Sequence, residues 1–98
     1  MNIKYIGIRG LDEQERFTLK KISETSYPKI GRLIENPLVF LTIKKQKIAG
    51  RRHRIIIDAR VSAPNIRYSS WADEWDIAKA THRVFDKLER EIEHKIKD

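Results

Sequence analysis

Lys44, Lys45, Lys47, Arg51, Arg52, Arg54, Arg60 and Arg67 fall in one stretch of the chain and meet a single anion there, Asp58. Their local excess of seven equals the formal net charge of the whole protein, +7, so positive and negative side chains elsewhere cancel. A field confined in this way attracts and steers polyanions. Ammonium and guanidinium groups do so by replacing the counterions of phosphates, which gives strong, salt-sensitive and mostly sequence-blind binding to a nucleic-acid backbone. Lysines on a sheet edge also discourage aggregation, but that role needs one or two of them, not six between Lys44 and Arg54.

Other residue types offer less. His53, His82 and His94 are too scattered for a metal site. His82 and Asp86 stand one helical turn apart with no third ligand in sight. Neither a Ser-His-Asp order nor a phosphate-cradling glycine loop is present. The expectation is therefore no catalysis, no metal and no cofactor. Trp71 and Trp75 could stack on splayed bases if exposed; the expected reading of tryptophans at such a junction is that they cap the core.

The elements that must carry these groups follow from pattern. Asn2–Arg9 reads as a strand ending at Gly10. Asp12 caps a helix with Glu15 as reciprocal partner, and Phe17, Leu19 and Ile22 supply its buried stripe. Tyr27-Pro28 is expected to stop or kink that helix, with one further turn before Asn36-Pro37. Leu38–Lys45 is a strand with Val39, Leu41 and Ile43 on one face. Lys44–Arg54 is expected to be a long, protruding, cation-loaded loop containing Gly50, since hairpins usually close in two to five residues.

His53–Ser62 alternates with period two. Ile55, Ile57, Ala59 and Val61 face inward, and Arg54, Ile56, Asp58, Arg60 and Ser62 outward. Arg60 and Arg67 should lie on the open face, where Arg60 either extends the basic surface or pairs with an acid such as Asp58. After a turn at Ser62–Asn65, Ile66–Ser69 is a short return strand. Ser70 then caps a last helix, with Asp73 at its third position and Ile77, Thr81, Val84, Phe85, Leu88, Ile92 and Ile96 on one apolar stripe. The fold class is α+β: a β-α-β-β-β-α two-layer sandwich, two helices on one face of a four-stranded, mostly antiparallel sheet.

With 98 residues, 40% apolar and 36% charged, the chain is expected to form one domain over residues 1–98, neither disordered nor membrane-bound. The absence of cysteine fits a reducing, cytoplasmic setting, and Met1–Tyr5 has no signal-peptide pattern.

The stretch Asp76–Arg90 resembles the ribosome hibernation-promoting factors and ribosome-associated translation inhibitors. That family shows an Asp, an apolar pair, an Ala four residues after the Asp, and a Lys-Leu-x-Arg run. Asp76, Ala80, Lys87, Leu88 and Arg90 match it, and Asn36-Pro37 with Leu38–Ile43 is similar to its second strand. Ala78, Thr81, Pro28 and the strongly basic Lys44–Arg54 segment depart from it. The resemblance implies a short-form, non-enzymatic protein that binds ribosomal RNA in the decoding region of the small ribosomal subunit and inhibits translation in idle cells. By position it offers Lys87 and Arg90 as RNA contacts, and more loosely Lys20, Lys21, Lys29 and Arg32. Two rival readings stand beside it. One is a generic double-stranded RNA-binding domain; the other is an interaction module, such as a homodimer pairing through an exposed strand, whose basic loop meets an acidic partner.

Overall fold

The computed structural model describes residues 2–97, and the sequence patterns above explain most of its elements. Strand β1 (Ile3–Ile6) leads through a 3-10 turn (Ile8–Gly10) to helix α1 (Glu13–Gly31). Strands β2 (Leu38–Ala49), β3 (Arg52–Ala63) and β4 (Ile66–Glu74) follow, then helix α2 (Ile77–Lys97). The sheet runs β1-β2-β3-β4, with β1 parallel to β2 and the other neighbours antiparallel. This is the expected α+β sandwich.

Alternation decides which face of the sheet is buried. Val39, Leu41 and Ile43 of β2, Ile55, Ile57, Ala59 and Val61 of β3, and Tyr68 and Ala72 of β4 form one core with both helices. Helix α2 supplies Ile77, Ala80, Val84, Phe85, Leu88 and Ile92 at helical spacing. Thr81 is also buried there, its hydroxyl donating to the Ile77 carbonyl at 2.6 Å, so the departure from an apolar residue leaves no unmet donor. Ile96, expected on the same stripe, is 53% exposed beyond the end of the core.

Helix α1 begins as expected. The Asp12 carboxylate accepts from the Glu15 amide at 2.7 Å, while Glu15 accepts from the Asp12 amide at 3.0 Å. Its buried stripe differs from the expectation. Phe17 is 65% exposed and Ile22 half-buried, whereas Leu19, Ser23, Ser26 and Ile30 face the core. The Ser23 hydroxyl donates to the Leu19 carbonyl at 2.7 Å, so its proton is satisfied inside the helix. Nor does Pro28 stop the helix, which continues to Gly31. Pro28 sits in the final turn, where Ile30 is anchored in the core and the Tyr27 hydroxyl donates to the Pro37 carbonyl at 2.6 Å. Tertiary packing outweighs the local preference there. Burial against this helix pushes the Tyr5 phenol above its ordinary value, partly offset by its hydrogen bond with Ser23.

Three boundaries are corrected. Strand β1 ends at Ile6 and not at Arg9, because Gly7 takes a left-handed backbone and leads into the 3-10 turn Ile8–Gly10. Strand β4 does not end at Ser69: Ser70, Trp71, Ala72, Asp73 and Glu74 go on pairing with Ala59 to Ile55. Ser70 is therefore no cap; its hydroxyl donates to the Val84 carbonyl of α2 at 2.8 Å. The cap is Asp76, whose carboxylate accepts from the Lys79 amide at 2.7 Å.

Candidate nucleic-acid interface

The segment expected to be a loop is a two-stranded ribbon. β2 and β3 pair from Leu38↔Ser62 out to Ala49↔Arg52, with a bulge between Lys47 and Ala49, and close in a two-residue turn at Gly50–Arg51. Gly50 takes a left-handed backbone (φ 56°), as primed hairpin turns favour. β1 pairs with β2 only as far as Thr42, and β4 with β3 only from Ile55 onward. Beyond those points the ribbon has no sheet neighbour and projects, in a molecule 45 Å long and only 23 by 19 Å across. Gly7 lets the chain cross its base: with φ 85°, any Cβ there would run into the Ile43 carbonyl.

The cations sort by partner. Lys44, Lys47 and Arg51 are exposed and have no ion-pair partner among the described residues. Lys45 turns to the helical side and pairs with Glu15 at 2.8 Å. Arg54 pairs with Asp73 at 2.6 Å, both side chains about one-third exposed. Its guanidinium also lies 4.5 Å from the centre of the Trp75 ring, with Arg52 at 5.8 Å from the same ring. Arg60 and Arg67 are on the open face as expected, on neighbouring strands at diagonal positions, within reach of each other's long side chains. Arg60 reaches Asp58 at 3.2 Å while staying 73% exposed, an ion pair of little strength.

Lys87 and Arg90 lie on α2, away from the ribbon. The Lys87 ammonium donates to the Trp71 carbonyl at 3.1 Å and sits 5.4 Å from that ring; Arg90 is exposed. The ten candidates thus form three groups: the ribbon, the open sheet face and the outer side of α2. Glu74, mostly buried, takes Lys79 and Arg83 of α2 at 3.8 and 3.5 Å and so reduces the positive charge at that helix's start.

Two residues with a claim on the site were expected elsewhere. Trp71 and Trp75 do not cap the core; they are 60% and 52% exposed. The signal that could have found them is parity along β4, where Arg67, Ser69, Trp71 and Asp73 alternate with inward Tyr68, Ser70 and Ala72. Small Ser70 and Ala72 make that alternation faint. Of the five residues matching Asp76–Arg90, exposed Asp76 caps α2, Ala80 and Leu88 are fully buried, and Lys87 and Arg90 are the exposed cations. The described residues contain no group of three metal-ligating side chains, and none of their helices is long and apolar enough to cross a membrane.

No protein-family model matches this sequence, and no curated protein matches it. Solved structures do. A ribosomal subunit interface protein from Coxiella burnetii superposes with a TM-score of 0.65 at 21% identity, over 100% of both chains. The N-terminal domain of Protein Y from Thermus thermophilus gives 0.61 at 22%, covering 97% of this chain and 99% of that one. At such identities the likeness shows a shared fold, the one the resemblance implied.

Proposed function

We propose that this protein is a member of the hibernation-promoting family. In this reading it binds ribosomal RNA in the decoding region of the small subunit, in the cytoplasm, and holds translation off by filling the channel that messenger and transfer RNA would use. No catalysis is involved. The carrying observation is a projecting ribbon whose Lys44, Lys47 and Arg51 have no ion-pair partner among the described residues, on a fold shared with a ribosomal subunit interface protein. Exposed Lys44, Lys47 and Arg51 replace counterions on phosphates, Arg60, Arg67, Lys87 and Arg90 provide flanking contacts, and the packed sandwich supplies the bulk that excludes other RNA.

The homodimer reading has less support. Of the two sheet edges, β1 has only four residues, and on the nine-residue β4 the Lys87 ammonium already occupies the Trp71 carbonyl. Sedimentation of a cell extract through a density gradient tests the proposal. Co-migration with small subunits is the expected result; protein remaining at the top of the gradient at physiological salt would refute it.

A further inference from the structure

We infer that Trp75, with the two arginines beside it, is a stacking platform for one unpaired RNA base, so that the root of the ribbon holds single-stranded or bulged RNA. This deepens the RNA-binding reading above and rests on it. The geometry follows from strand register. Continuing the β3–β4 ladder one pair beyond Ile55↔Glu74 places Trp75 across from Arg54, with Arg52 two residues further along the same strand. The indole accordingly meets Arg54 at 4.5 Å and Arg52 at 5.8 Å.

Arg54 is itself fixed, because Asp73 binds its Nε at 2.6 Å. That pairing offsets its charge and makes it a poor phosphate ligand. It becomes a positioning residue for the ring, with its ordering cost met before any ligand arrives. A large apolar ring left 52% exposed in such a setting is not explained by the core, which closes without it.

The occupant follows from chemistry. A flat π face among guanidinium groups suits a planar ring carrying its own anion. Bases splayed out of a helix stack on both aromatic faces and arginine planes. A shallow hollow lined by Arg51, Arg52, His53 and Glu15 adjoins the ring. It leaves Arg51 and Arg52 to take the flanking phosphates. Bases within a duplex are already stacked and cannot reach the indole, so the ligand must present an unstacked one.

Fluorescence tests this with Trp71→Phe, which leaves Trp75 as the reporter. A short unstructured oligouridylate should quench it, and a blunt duplex or a polyglutamate peptide should not. In the parent chain, Trp75→Ala should weaken oligouridylate binding roughly 5- to 150-fold, the range for losing one stacked base. Its salt slope should stay parental, and Trp75→Phe should recover most of the loss. Thermal unfolding of each variant shows whether the fold is kept, and the quenching result stands without any substitution of Trp75. Parental affinity in Trp75→Ala, or equal quenching by duplex or by polyglutamate, would overturn the platform and leave RNA binding intact; polyglutamate quenching would assign the site to an acidic protein segment. A parent chain that binds no RNA would overturn the RNA-binding reading itself.

Discussion

Replacing Lys44, Lys47 and Arg51 together with glutamine will weaken RNA binding by orders of magnitude at low salt and flatten its salt dependence. Removing one cation from a phosphate should reduce the slope of log K against log salt by roughly 0.7–0.9, so three such cations account for about 2–3 units. These three are chosen because they are exposed and have no ion-pair partner among the described residues. Lys45 and Arg54 already commit their charge to Glu15 and Asp73, and replacing them would disturb α1 and the Trp75 contact as well as the field. The triple variant should remain folded, since exposed substitutions usually change stability by within about 0.5 kcal/mol each. A filter-binding titration across salt concentrations reads both quantities. An unchanged slope would remove the ribbon from the interface.

Leu88→Ala should have the opposite profile: a large loss of stability with the RNA-facing side chains untouched. Leu88 is fully buried on α2, in step with Val84 and Ile92 and in the same cluster as Ile55 and Ile57. Truncation removes transfer free energy and leaves a cavity, together costing about 2–5 kcal/mol. Against a total of about 5–15 kcal/mol for a domain of this kind, that is a large share. Urea unfolding measures it through the midpoint at constant slope. A loss below about 1 kcal/mol would contradict the packing of α2 on the sheet.

What could be read in advance follows the strength of each local signal. From Ile55 to Val61 only Ile56 breaks the apolar-inward, polar-outward alternation, so both the strand and its buried face are legible. Asp12 with Glu15 marked the first helix start through two reciprocal bonds that both form. The ribbon is not legible because Lys and Ala are weak strand formers; cross-strand pairing, not propensity, carries β2 out to Ala49. The β4 boundary was misplaced because Ser70 is a good cap in sequence, and only tertiary context turns its hydroxyl toward Val84.

The candidate site was legible as charge and illegible as geometry. Sequence located the cations, but not that Glu15 and Asp73 would take up Lys45 and Arg54. Those pairs join residues distant in the chain, and no local pattern announces them. The exposure of Trp71 and Trp75 is hidden for a related reason: it depends on where β4 ends.

The central claim is that a shaped channel, and not phosphate alone, is what this protein recognises. The direct measurement is binding to purified small ribosomal subunits at near-physiological salt, with and without pre-bound transfer RNA, beside a random RNA duplex. Occlusion predicts a clear preference for the subunit and loss of binding when transfer RNA is already in place, because two bodies cannot fill one channel. Equal affinity for the random duplex, or binding indifferent to transfer RNA, would contradict it.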